Sequence, residues 1–227
     1  AGMGFNRCMA DSPQRLFTGA QAREIDARAI AAAGGDPLVL MQRAGAAAFR
    51  RLRARWPQAR RVLVACGRGN NGGDGWVVAT LAHRAGFETL LVHVDGEPGT
   101  DEARRARDDA LAAGVVPGVF HAGASLPPAD VLVDGVLGIG LRRAPEGDYA
   151  ALIAAINHHP APVLALDLPS GLDADTGQVP DACVRAALTV CFIAAKRGLF
   201  TGVAPAYVGE LVLETLGVAA SIEREIE

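Results

Sequence analysis

Arg61-Val62-Leu63-Val64-Ala65-Cys66 runs straight into Gly67-Arg68-Gly69-Asn70-Asn71-Gly72-Gly73-Asp74-Gly75, and a helical pattern follows over residues 76–84. An apolar run with no polar alternation reads as a strand buried on both faces, as in parallel sheets covered by helices on either side. The pattern repeats downstream. Residues 89–94 read as a second strand, residues 131–134 as a third, and residues 163–167, 188–193 and 210–214 as three more. Helical stretches fall between them at residues 100–113 and 149–157. Strands alternating with helices, with no repeat or linker, predict an α/β chain: one three-layer αβα Rossmann-like domain over residues 16–217 with a mostly parallel central sheet. Right-handed crossovers then bring the C-terminal ends of the strands to a single rim, where ligands bind in such folds.

Upstream, Thr18 and Gln21 form a capping box ahead of a stripe of Ala22, Ile25, Ala29 and Ala32, and Gly34-Gly35 ends that helix. Asp36-Pro37 opens a second helix with Leu38, Met41, Gly45, Phe49 and Leu52 on one face. Ala1-Gly2 ahead of Met3 reads as a remnant, so residues 1–15 are expected to be disordered or tag-derived. Residues 218–227 are expected to be a tail or the start of a linker.

Half of the 227 residues are hydrophobic, 21% are charged and the net charge is −3, which excludes a disordered chain and a nucleic-acid binder working through bulk positive charge. No apolar run approaches the roughly 18 residues of a membrane span, and the start lacks the apolar centre of a secretion signal. A cytoplasmic protein with neither nucleic acid nor membrane as partner is expected. Cys8, Cys66, Cys183 and Cys191 show no zinc-ligand spacing and read as small hydrophobes. Lys196 is the only lysine against 21 arginines, and it ends an apolar strand run.

Three polar loops leave strands at the rim. The first contains a G-x-G-x-x-G match (Gly67, Gly69, Gly72), with Asp95 placed where a ribose-binding acid would sit. That signal is weak alone, because a pyrophosphate cradle needs bare N–H groups and Asp74 adds negative charge there. Asn70, Asn71 and Asp74 instead offer oxygens suited to a hard cation, a ribose or amide edge, or proton transfer. A tight turn with an Asp cap is the plainer alternative. The second loop runs Asp134-Gly135-Val136-Leu137-Gly138-Ile139-Gly140-Leu141-Arg142-Arg143; its glycines permit close backbone approach, and its arginines either neutralise a ligand phosphate or are simply solvated. The third, Asp167-Leu168-Pro169-Ser170-Gly171-Leu172-Asp173-Ala174-Asp175-Thr176-Gly177, carries more carboxylates than turns require. Asp74, Asp134 and Asp167 are thus expected on one rim with Lys196 among them, their crowding raising carboxyl pKa values and favouring a bound monovalent cation.

Together these loops, with the segment around residues 189–198, closely resemble the NAD(P)H-hydrate epimerase family, the YjeF N-terminal domain. Leu40-Met41-Gln42-Arg43-Ala44-Gly45 is similar to that family's amino-terminal motif, with Gln42 in place of the commoner Glu. The resemblance implies interconversion of the R and S forms of hydrated NADH or NADPH, so that an ADP- or ATP-dependent dehydratase, sometimes fused, can restore the cofactor. It implies that Asn70, Asn71, Gly72, Gly73 and Asp74 contact the substrate, together with Gly138, Ile139, Gly140, Leu141, Arg142, Arg143, Ala144 and Asp167. It assigns a potassium ion to Asn71, Asp134 and Ser170, and a homodimer; the first helices, with Met41, Ala44 and Gly45 exposed, are the expected contact surface. The reaction centre is a hemiaminal: loss of its hydroxyl needs an acid and return of water needs a base. Asp167 is the first candidate, Asp74 the second and Lys196 an electrostatic or relay helper. Alternatives are a non-catalytic nucleotide-binding scaffold and an NAD(P)-dependent oxidoreductase, though no Tyr-x-x-x-Lys pair is present.

Overall fold

The computed structural model describes residues 15–141 and 143–226; Cys8, Arg142 and most of the N-terminal lead lie outside them. The elements are α1 (Gly19–Ala32), α2 (Pro37–Arg55), β1 (Arg61–Cys66), α3 (Asn70–Arg84), β2 (Glu88–Val94), α4 (Asp101–Ala112), β3 (Pro117–Phe120), β4 (Val131–Gly135), α5 (Gly147–His158), β5 (Val163–Leu166), β6 (Leu188–Phe192), β7 (Glu210–Glu214) and α6 (Ala220–Arg224). One seven-stranded sheet has the order β3-β2-β1-β4-β5-β6-β7, and every pairing is parallel. Strand order reverses between β1 and β4, so the crevice that such sheets leave for ligands opens beside Cys66 and Gly135.

Strand alternation builds the layers. Val62, Val64 and Cys66 of β1 pack with α1 to α4, whereas Leu63 and Ala65 pack with α5 on the other face. Both caps form as the sequence predicts: Thr18 and Gln21 bond reciprocally, and Asp36 accepts from Leu38 N–H. Ala32, counted in the apolar stripe of α1, is exposed; Ala22, Ile25 and Ala29 carry that packing.

Three elements depart from the sequence reading. Helix α3 starts at Asn70, so six residues assigned to the glycine-rich loop are helical. Glycine disfavours a helix on propensity, but close packing offsets the cost. A Cβ on Gly73 would stand 2.4 Å from Met41 Cε, and one on Gly75 would stand 2.8 Å from Cys66 Sγ. Strand β3 was not expected, because Pro117 and Gly118 depress strand propensity; proline is tolerated there because β3 is the sheet edge. Met41, Ala44 and Gly45 are buried inside the chain, where a Cβ on Gly45 would meet Val77 Cγ1 at 2.5 Å. Their expected exposure on the first helices is therefore not found. At the C-terminal end Ile226 is buried in the main core, and Arg15 donates hydrogen bonds to the carbonyls of Glu223 and Ile226.

Candidate functional site

Each rim loop delivers its polar side chain through a local constraint. Asp134 sits in β4, one residue before the strand ends, and is wholly buried. Its Oδ1 accepts from Ser170 Oγ at 2.5 Å and from Val136 N–H at 3.2 Å, and its Oδ2 accepts from Ser170 N–H at 2.8 Å. Ser170, also wholly buried, accepts in turn from Leu137 N–H at 2.7 Å. Asn71, in the first turn of α3, donates from Nδ2 to the Leu137 carbonyl at 3.0 Å. Its Oδ1 is buried with no hydrogen-bond partner. Asn71, Asp134 and Ser170, assigned to a cation from three separate loops, therefore meet around Leu137. The Leu137 carbonyl is an oxygen that side-chain reasoning misses, because a backbone group leaves no mark in a sequence.

Asp167 follows β5 in the left-handed region (φ 64°), which Asp tolerates better than most residues. Its N–H donates to Val190 O at 2.8 Å, and its Oδ1 accepts from Lys196 Nζ at 2.5 Å and from Phe192 N–H at 3.2 Å. The Lys196 ammonium also donates to Phe192 O at 2.7 Å and is only 2% exposed. Burial alone would push its pKa down; Asp167 leads the neighbours that outweigh this and hold it above the ordinary lysine value. Asp74, on the second turn of α3, has its carboxyl pKa raised well above the usual range by burial, then by the charges of Asp167 and Asp26, with Lys196 opposing.

The three rim acids thus form two groups. Asp74 and Asp167 crowd together around Lys196, whereas the Asp134 carboxyl is pushed up to about 6 by burial, against the pull of its Ser170 and Val136 hydrogen bonds. Asp26 of α1 belongs to the first group and was not singled out from the sequence, where it reads as one more polar residue of an amphipathic helix. A signal was available: it lies four residues after Ala22 and three before Ala29, on the stripe facing the core.

The residues assigned to substrate contact divide by exposure. Asn70 and Gly140 are exposed; Gly138, Ile139, Leu141 and Ala144 are half-buried; Arg143 is exposed. Asn70 Oδ1 accepts from Thr100 Oγ1 at 2.6 Å. Gly72 and Gly73 are buried, and a Cβ on Gly72 would stand 2.0 Å from Gly67 O, so these two act by letting the backbone close rather than by offering a surface. Cys66, Cys183 and Cys191 are free and buried, as small hydrophobes would be. Among the described residues, no helix is long and apolar enough to cross a membrane.

The chain is 48% identical over 182 residues to the bifunctional NAD(P)H-hydrate repair enzyme Nnr of Escherichia coli (strain K12), covering 79% of this chain and 35% of that protein. It is 42% identical over 196 residues to the NAD(P)H-hydrate epimerase of Bordetella pertussis (strain CS), covering 83% of each. The chain spans about two fifths of the length of the bifunctional relatives it matches. The crystal structure of yeast ynu0, YNL200c, superposes with a TM-score of 0.72 at 20% identity over 81% of this chain and 82% of that one, a likeness of fold. The family described as YjeF-related protein N-terminus matches residues 37–198, which include Asn71, Asp74, Asp134, Asp167, Ser170 and Lys196. The chain belongs to that family.

Proposed function

We propose that this protein epimerises hydrated NADH and NADPH, acting in nicotinamide cofactor repair as an isomerase. The observation that carries the reading is the junction of two sites: in the Asn71–Leu137–Ser170–Asp134 oxygen cluster, Asn71 is separated from Asp74 by two residues of α3, and Ser170 from Asp167 by two residues of the third loop. The relatives' names, given above, support the same reaction.

The donor set suits an alkali cation. It offers an amide oxygen lacking a partner, a backbone carbonyl, a hydroxyl and one carboxylate, hence a single negative charge and no soft ligand. Potassium is the ion this reading assigns, held by Asn71, Ser170 and Asp134 with the Leu137 carbonyl. Bound there, it would fix the second and third loops against α3 and supply positive charge for substrate oxygens.

The remaining chemistry belongs to side chains. In hydrated NAD(P)H the hydroxyl sits on a ring carbon next to nitrogen, whose lone pair expels it to leave an iminium ion. The departing oxygen needs a proton. Asp74, whose carboxyl pKa burial and like charge raise well above the usual range, is favoured as its donor. Asp167 is the ion-pair partner of Lys196 and is favoured as the carboxylate that faces the cationic ring and accepts the proton of the water returning on the opposite face. In the reverse direction the two exchange roles, and solvent exchange at these partly exposed carboxyls restores the proton count. Lys196 keeps Asp167 anionic and oriented. A homodimer and a cytoplasmic dehydratase partner, separate or fused, complete the proposal.

Proton NMR of a mixture enriched in one epimer tests it. Wild-type protein in potassium buffer is expected to equilibrate the epimers faster than the uncatalysed rate, with much less acceleration in lithium buffer. Asp74→Asn and Asp167→Asn are each expected to lose most of the acceleration. No acceleration by the wild-type protein with any alkali cation overturns the reading.

A further inference from the structure

Two adjacent strands end in the same uncommon turn. After β5, Leu168 N–H donates to Leu166 O at 2.7 Å across Asp167; after β6, Ala194 N–H donates to Phe192 O at 2.7 Å across Ile193. The residue spanned has positive φ in each, 64° at Asp167 and 60° at Ile193. A three-residue turn of that hand is the strained form of the γ-turn, rare in folded chains. Asp accepts positive φ better than most residues, whereas a β-branched side chain is a genuine outlier there. Ile193 is 3% exposed and belongs to the main core, and its N–H donates to Glu214 O of β7 at 2.8 Å. Backbone strain of this kind persists only where the surroundings over-determine it, and it concentrates at functional sites.

What the strain holds is the residue before it. Phe192 meets the Asp167–Lys196 pair with both of its backbone polar groups: the N–H donates to Asp167 Oδ1 at 3.2 Å, and the carbonyl accepts from Lys196 Nζ at 2.7 Å. The same carbonyl closes the turn over Ile193, so its direction and the conformation of Ile193 are coupled. Beyond the turn, Phe17 pins the chain. Its N–H donates to Ala195 O and its carbonyl accepts from Arg197 N–H, each at 2.8 Å, on either side of Lys196. Lys196 therefore reaches back from a fixed main chain to a carbonyl that the turn directs at it.

We propose that Ile193 is a positioning residue of the acid group: burial of its side chain holds a strained turn that aims Phe192 at the ion pair and so fixes where the Asp167 carboxylate stands. Resting on the proposed epimerisation, the inference deepens it by one residue. The Ile193 side chain has two opposed effects. Its β-branch disfavours positive φ, and its burial outweighs that penalty. Alanine keeps a Cβ, and with it a penalty at positive φ, but loses most of the burial. Glycine loses both. Truncation to alanine thus frees the turn to relax, and truncation to glycine removes the cause of relaxing.

The test inverts the usual order of truncation. Epimerisation of hydrated NADH is measured per folded protein, below the melting transitions of both variants. Ile193→Ala is expected to lose kcat roughly tenfold at little-changed KM, and Ile193→Gly to recover most of that loss. A packing role alone predicts glycine no better than alanine, and that result overturns the inference if the wild-type protein is active. A second arm needs no epimerase assay. Lys196 is the only lysine, so lysine-selective isotope labelling gives a single side-chain ammonium signal in nitrogen NMR. Near neutral pH that signal is visible only where burial and hydrogen bonding slow its exchange with water. It is expected in wild type and in Ile193→Gly, and is expected to be lost in Ile193→Ala. Its absence from wild type, its loss in both variants or its survival in both overturns the inference whatever the enzyme does. Inactive wild-type protein whose signal disappears in Ile193→Ala alone would instead overturn the epimerase reading and leave the positioning of the ion pair by Ile193 standing.

Discussion

Replacing Asp167 by Asn isolates the buried ion pair. The backbone of Asp167 is left-handed, and Asn is among the few residues that accept that conformation, so the turn survives. The charge does not. Lys196 is 2% exposed, and its ammonium keeps the Phe192 carbonyl and a neutral amide oxygen in place of the carboxylate that paired its charge, with Asp26 the remaining carboxyl acting on it. Breaking a buried pair by removing one partner costs about 3–5 kcal/mol, because the other charge stays desolvated and uncompensated. For a chain of this length that lowers Tm by about 6–20 °C. Lys196→Met added to Asp167→Asn removes the stranded charge while keeping much of the side-chain volume, and is expected to recover most of the loss. The assay is urea unfolding of wild type, both single variants and the double variant near neutral pH, compared at constant m-value. The coupling between the two positions is expected to be about 2 kcal/mol or more, at the upper end for contacting residues. Asp167→Asn within about 1 kcal/mol of wild type, or a double variant costing the sum of the singles, would refute the claim that Lys196 depends on Asp167. The result also sets the temperature at which Asp167→Asn activity can be read, since loss of fold and loss of chemistry must not be confused.

Asn71→Leu removes the unpartnered Oδ1, so the cation-free protein is expected to be at least as stable as wild type, while the rise in Tm on adding potassium disappears; a preserved potassium shift in a melting experiment would remove Asn71 from the ion site. Gly72→Ala drives a Cβ to 2.0 Å from Gly67 O and is expected to cost about 3 kcal/mol or more, whereas Gly140→Ala enters open space and is expected to leave chemical denaturation nearly unchanged. The Asp26 carboxyl stands at about 6 when folded against an ordinary 3.8, so the folded state loses stability as pH climbs through that window. At about 1.4 kcal/mol per unit, Asp26→Asn is expected to be more stable than wild type by up to about 3 kcal/mol above the window and no more stable below it. Denaturant midpoints measured across pH check both the size and the sign.

What the sequence disclosed is what local patterning controls. Val62 to Cys66 declare a doubly buried strand by lacking polar alternation, and Thr18 and Asp36 declare helix starts through side chains that satisfy free N–H groups. The convergence of Asp74, Asp134 and Asp167 on one rim followed from topology, since parallel strands must end there, whereas the grouping of Asn71, Asp134 and Ser170 came from the family resemblance. The start of α3 was hidden because glycine weighs against helix locally, while the contacts of Gly73 with Met41 and of Gly75 with Cys66 are tertiary. Burial of Met41 and Gly45 was hidden for the same reason, because an apolar helix stripe looks alike whether α3 or a second subunit covers it. Asp26 stayed hidden since its importance depends on α1 lying across the rim, a placement set by the Phe17 pairing and by Arg23 reaching Ile139.

The glycine fingerprint after β1 can be weighed on the same physical terms. In a dinucleotide-binding turn, glycines let a pyrophosphate approach bare backbone N–H groups at a helix start. Here a Cβ on Gly67 would stand 1.9 Å from Val136 O, and one on Gly72 would stand 2.0 Å from Gly67 O. The approach that glycine permits at both positions is taken by the chain's own carbonyls, which repel phosphate oxygens. Asp95, placed where a ribose-binding acid would sit, instead accepts from Gly96 N–H at 2.8 Å within its own turn. Both supports of the oxidoreductase reading are therefore spent on internal packing. A turn walled by carbonyls and beside a carboxyl whose pKa is raised attracts cations and hydroxyl donors. Those are the features that distinguish a hydrated nicotinamide ring, with its hydroxyl and its route to an iminium charge, from an intact one, so the packing that argues against hydride transfer also favours hydroxyl transfer.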